Sequence, residues 1–111
     1  MTTTIEAPFT LSDIEREGIE SKIDDLKKYE SRMTQVNVFF KKDDGNLPDA
    51  ILAEIRIRVP GADVFAENTD EVAMKAFSKA YNAAKRQIKE RRSQMNDHHS
   101  NLKERRVPKL P

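Results

Sequence analysis

Alternation between apolar and polar positions is sharpest from Ala50 to Val59. Ile51, Ala53, Ile55, Ile57 and Val59 fall on one face, and Leu52, Glu54, Arg56 and Arg58 on the other. A period of two predicts a strand with one buried and one open side. Gln35 to Lys42 alternates in the same way, with Val36, Val38 and Phe40 inward. Thr2 to Glu6 is short and β-prone and predicts another strand. Asp63 to Glu67 predicts a fourth, antiparallel to the third across Pro60-Gly61. Asp43-Asp44-Gly45-Asn46 predicts the turn that joins the second strand to the third.

Elsewhere the period is helical. Ser12 and Glu15 are spaced as a capping box, and Ile19, Ile23 and Leu26 repeat on one side of a helix reaching about Tyr29. A second helix is predicted from Asp70 or Glu71 to about Arg92. Its buried stripe is Ala73, Phe77, Ala80, Ala84 and Ile88, with Tyr81 beside it. An alanine-rich stripe lets the helix lie close to its support. Beyond Met95 the pattern fades. Asn96 to Asn101 reads as loop, and Pro108 and Pro111 bar a helix at the end. The expected organisation is one domain over residues 1–94 and a mobile basic tail over 95–111. The fold class is α+β, in the order β-α-β-β-β-α. A four-stranded sheet with one apolar face needs one covering layer, and two helices packed on that face supply it.

Charge changes this picture. The chain has 20 Lys and Arg, 19 Asp and Glu and a net charge of +1, but the signs segregate. Residues 1–74 hold nine basic and sixteen acidic residues, a sum of −7; residues 75–111 hold eleven basic and three acidic residues, a sum of +8. A strongly basic segment in a near-neutral chain implies a polyanionic partner. Lys75, Lys79, Arg86 and Lys89 lie opposite the apolar stripe of the second helix, and Lys85, Arg91 and Arg92 widen the band. From Lys75 to Arg92 the one acidic residue is Glu90. A cationic stripe about 20 Å long, set away from the core, can meet phosphates without disturbing the fold.

Catalytic chemistry has little support. There is no cysteine and only three glycines, so thiolate metal sites and phosphate-cradling glycine loops are excluded. His98 and His99 are the two histidines and fall in the expected tail. Asp24-Asp25 and Asp43-Asp44 read as a wet helix face and a turn. No cofactor, metal or small-molecule substrate is expected, and no membrane contact: no apolar run approaches the roughly 20 residues of a span. Phe39 and Phe65 are placed on the open sheet face, where exposed aromatics can stack unpaired bases; the glycine-and-aromatic motif of the RNA recognition motif is absent and its strand–helix order differs, so they read as packing residues.

Four segments together resemble one known family. Leu11 to Ile14, continuing through Ile23-Asp24-Asp25-Leu26-Lys27-Lys28-Tyr29, is similar to its first helix. Arg32 to Val38 is similar to the start of its second strand, and Glu54 to Gly61 with Asp63 to Ala66 to its central hairpin. Lys85-Arg86-Gln87-Ile88-Lys89 is similar to its second-helix signature. The family is that of the ribosome hibernation promoting factors and ribosome-associated translation inhibitors, in its short form. The resemblance implies a fold like that of double-stranded-RNA-binding domains and a bacterial, cytoplasmic, non-enzymatic protein of stationary phase and stress. Its implied partner is the small ribosomal subunit and its rRNA, in idle ribosomes or ribosomes joined as dimers. The implied mechanism is occupation of the channel for messenger and transfer RNA. By position it implies rRNA binding by Lys22, Lys28, Lys79, Arg86, Lys89 and Arg92; the cationic stripe adds Lys75 and Lys85 to the expected rRNA-binding residues. Three features depart from the family pattern: Glu17, Glu20, Asp24 and Asp25 make the first helix acidic, the tail is basic, and no second domain follows Pro111. The last two lean towards the short hibernation factor. The alternative is a regulator that binds protein, such as a sigma factor, away from the ribosome.

Overall fold

Local chemistry starts the first helix where the capping box stands. The Ser12 hydroxyl accepts the Glu15 amide at 3.1 Å, and the Glu15 carboxylate accepts the Ser12 amide at 2.9 Å. Two amides that a helix start leaves unpaired are thereby satisfied. The computed structural model describes residues 1–43, 49–61 and 63–104, and of residues 92–104 the backbone alone. Its elements are β1 (Thr2–Glu6), α1 (Asp13–Leu26), β2 (Gln35–Lys42), β3 (Ile51–Arg58), β4 (Val64–Asp70) and α2 (Ala73–Glu104). The expected turn at Asp44 to Asn46 lies outside the described residues.

The strands form one sheet in the order β1-β2-β3-β4. β2 pairs antiparallel with β3, Val38 opposite Ile55, and β3 antiparallel with β4, Ile55 opposite Ala66. β1 pairs parallel with β2, Thr4 opposite Asn37. A parallel pair needs a crossover, and α1 is that crossover. The register puts Val36, Val38, Phe40, Ala53, Ile55, Ile57, Val64 and Ala66 on one buried face. Ile19, Ile23 and Leu26 from α1, and Ala76, Phe77, Ala80, Tyr81, Ala84 and Ile88 from α2, join the same core. Both helices therefore cover one side of the sheet. α2 lies close on β3 and β4, because its contact stripe is mostly alanine; the longer Ile and Leu side chains hold α1 farther off. Among the described residues no helix lies on the opposite side of the sheet.

Four boundaries differ from expectation. α1 stops at Leu26, three residues short of Tyr29, and residues 27–29 form a turn. β4 runs to Asp70, three residues past Glu67, because Glu67, Asn68, Thr69 and Asp70 pair with Glu54, Ala53, Leu52 and Ile51. α2 then starts at Ala73, after the Asp70 carboxylate accepts the Val72 amide at 3.0 Å. At its other end α2 continues to Glu104, so Asn96 to Asn101 is helical rather than loop. Nothing from Ser93 to Glu104 is Gly or Pro, so no residue there breaks the backbone ladder. Residues 105–111 lie outside the described residues. Gly61, at φ 100°, takes the left-handed conformation that the turn after β3 requires and that a side chain would strain.

Candidate nucleic-acid interface

The outward face of α2 is set by its inward one. With Ala76, Ala80, Ala84 and Ile88 against the sheet, Lys75, Lys79, Asn82, Arg86 and Lys89 are exposed on the far side. Lys85 is half-buried at the border with α1. There the turn that follows α1 brings up Tyr29. The Lys85 and Lys89 ammonium groups sit 5.3 and 5.4 Å from the centre of its ring. Residues 85 and 89 are one helical turn apart, so both side chains reach the same aromatic face. Lys22 of α1 lies 5.4 Å over the ring of Tyr81, which belongs to α2. Three cation–aromatic contacts thus tie α2 to α1 and the turn after it while leaving the charges at the surface.

The predicted residues do not all remain equally available. Lys79 pairs with Asp70 at 3.2 Å, an acid supplied by β4 and invisible in the charge pattern of the helix. Asp70 is held below the ordinary carboxylate pKa, first by the Val72 amide and then by the Lys79 ammonium. Lys28 pairs with Asp25 at 3.8 Å. This pair is exposed on both sides and so contributes little to stability. Arg91 does not widen the cationic band: its guanidinium donates to the Pro60 carbonyl at 3.1 Å and holds the β3–β4 turn. Arg92 lies on α2 with its side chain outside the described residues. Lys75, Lys85, Arg86 and Lys89 therefore form the centre of the face, with Lys22 beside them. No carboxylate within 4 Å pairs with any of these five among the described residues.

Tyr29 and Tyr81 hold these lysines, and the charge pattern gave no sign of either. The signal available was their place, Tyr29 just past the apolar stripe of α1 and Tyr81 beside that of α2. Burial pushes the Tyr81 hydroxyl pKa up, and the nearby Asp25 carboxylate adds to the shift. Gln87, also on α2, donates to the Phe65 carbonyl of the edge strand β4 at 2.8 Å and fixes the helix along the sheet. The acidic outer face of α1 is as exposed as expected, with Glu17, Glu20, Asp24 and Asp25 in solvent. Among the described residues no group of three His, Cys, Asp or Glu could hold a metal ion, and no helix is long and apolar enough to cross a membrane.

Comparison with known proteins agrees with this architecture. The family model described as Sigma 54 modulation protein / S30EA ribosomal protein matches residues 7–96. A ribosomal subunit interface protein from Coxiella burnetii superposes with a TM-score of 0.72, at 13% identity, covering 84% of this chain and 99% of its own. The Protein Y N-terminal domain of Thermus thermophilus gives a TM-score of 0.64 at 22% identity, covering 79% and 93%. At those identities the two structures establish the fold. No match was found among curated protein sequences.

Proposed function

Since this chain belongs to the Sigma 54 modulation protein / S30EA ribosomal protein family, we propose that it is a non-catalytic translation inhibitor that binds the small ribosomal subunit. It occupies the channel for messenger and transfer RNA and keeps idle ribosomes silent. The observation that carries the reading is the cluster Lys75, Lys85, Arg86 and Lys89 on the far side of α2, two of its members braced on Tyr29. Ammonium and guanidinium groups without carboxylate partners need no exchange of ion pairs before they meet phosphates. Release of the condensed counterions then drives binding. The rigid α/β support presents the charges at fixed spacing, which suits a structured RNA surface. Lys79 and Lys28, already paired, contribute less.

The test is co-sedimentation with purified small subunits, followed by translation of a reporter in a reconstituted system. Sedimentation with the small subunit and inhibition relieved by excess messenger RNA are expected. A protein that stays at the top of the gradient at low salt would refute the proposal. The acidic outer face of α1 favours a second reading, in which Glu17, Glu20, Asp24 and Asp25 dock a basic protein. That reading requires binding to be lost on reversing α1 charges and kept on reversing those of α2.

A further inference from the structure

The side of the sheet that no helix covers is not uniform. One row across it reads Thr4, Asn37, Arg56 and Phe65, by register from β1 to β4. The neighbouring row holds Thr2, Gln35 and Arg58. Phe65 is 40% exposed, unusual for a phenylalanine on a strand, and the Arg56 guanidinium lies 5.4 Å from its ring centre. Among the described residues neither Arg56 nor Arg58 has a carboxylate partner within 4 Å. The Gln35 amide donates to Asn37 Oδ1 at 3.4 Å, which leaves the Asn37 amino group and the Gln35 carbonyl without a side-chain partner there. The row on the other flank is acidic, with Glu6, Glu54 and Glu67 around Phe39, and Lys41 is neutralised by Glu54 at 3.1 Å.

We propose that this end of the open sheet face is a second RNA site, which takes an unpaired segment by stacking a base on Phe65. The chemistry is specific to a flat, anionic ligand. The exposed ring and the guanidinium beside it offer a surface on which a base stacks, and every base has a face to offer. Arg56 and Arg58 stand two residues apart on β3, about 7 Å, close to the separation of successive phosphates in an extended strand. Asn37 and Gln35 supply a donor and an acceptor for a base edge. The acidic row of Glu6, Glu54 and Glu67 bounds the footprint at two or so nucleotides. The site faces away from α2, on the opposite side of the sheet, so one molecule can hold a structured RNA through the helix and a single strand through the sheet. It does not depend on the reading of α2.

The experiment uses the whole chain, a fluorescein-labelled short oligouridylate and a labelled RNA hairpin of duplex stem, with anisotropy at low salt and amide chemical shifts. Oligouridylate should shift the amides around Asn37, Arg56 and Phe65. Phe65→Leu should weaken that binding by about five- to a hundredfold, the range of one base–aromatic stack. Hairpin binding should be unchanged. Arg56→Gln changes an exposed side chain with no place in the core, so it carries the test if Phe65→Leu disturbs the fold. Replacing Lys85, Arg86 and Lys89 by Gln should leave oligouridylate stacking in place while weakening the hairpin. Shifts confined to α2, or oligouridylate affinity unchanged from wild type in both sheet variants, would overturn the site. So would a protein ligand captured by this face in preference to RNA.

Discussion

Replacing Lys85, Arg86 and Lys89 together by Gln removes three positive charges from the centre of the α2 face. None of the three belongs to the core: Arg86 and Lys89 are exposed, and Lys85 rests its stem against Tyr29. The Lys85 and Lys89 contacts with the Tyr29 ring contribute about 0.5–1 kcal/mol each, against a total stability on the order of 5–15 kcal/mol for a domain. Circular dichroism should therefore show a folded variant, melting lower by up to about 10 °C. Binding should respond differently. Each phosphate neutralised adds about 0.9 to the slope of log affinity against log salt for a duplex, or about 0.7 for a single strand. Three lost contacts lower the slope by about 2–2.7. From 50 to 200 mM salt, wild-type affinity for the small subunit should then fall roughly 20- to 40-fold further than that of the variant. The assay is filter binding of labelled protein to purified small subunits across a salt series. Equal slopes with a folded variant would refute the assignment of this face, whatever happened to the affinity at one salt concentration.

The core makes a sharper demand. Ile55 is fully buried between Val38 and Ala66, so Ile55→Asp strands a charge in the sheet and should leave no cooperative melting transition, whereas Arg56→Ala, one position on, should melt within a few degrees of wild type; the reverse result would shift the register by one residue. Ending the chain after Arg92 removes the last part of α2 and four basic residues, Lys103, Arg105, Arg106 and Lys109. The remaining domain should keep its melting temperature, and the salt slope should fall by up to about 0.9 for each phosphate contact given up; a large fall in melting temperature would show that the removed segment packs on the body. The pH dependence has two arms with opposite signs. Asp70 and Glu30 have depressed pKa values, the first from the Val72 amide and Lys79, the second from its hydrogen bonds to Arg32, so their contribution is present above the ordinary carboxylate range and lost as pH falls through the folded values. Tyr81 has a raised pKa, so its contribution is present below the ordinary phenol value and lost as pH rises past it; Tyr81→Phe should flatten the alkaline arm of a urea-stability profile and leave the acid arm alone.

Much of this was legible along the chain, because it rests on neighbours in sequence. The eight residues of β2 alternate from Gln35 to Lys42 and form a strand over that span. Ser12 and Glu15 close their capping box within one helical turn. The alanine stripe of α2 specifies both a face and a short distance to the sheet. From such faces the side on which the cationic residues lie follows directly: on an amphipathic helix, whatever opposes the core must be outside. The continuation of α2 past Arg92 was not legible in the same way, because the helix there has no apolar period to announce it, only the lack of Gly and Pro.

Other properties exist only once distant segments meet. β1 is a stretch of five residues whose sequence says strand but names no partner; its parallel pairing with β2 arises because α1 carries the chain back across the sheet. The charge of Lys79 seemed free within its own helix until β4 brought Asp70 to 3.2 Å. Arg91 looked like one more cation of the band, yet the fold turns it towards the Pro60 carbonyl, 31 residues away in sequence. Lys85 and Lys89 acquire their common platform from Tyr29, which belongs to the turn after α1. Periodicity is a property of each segment and decides which side of it is wet. Which charges stay available on that side depends on pairings across the fold, and those are decided by which segments the packing of α2 on β3, β4 and the turn after α1 brings within reach.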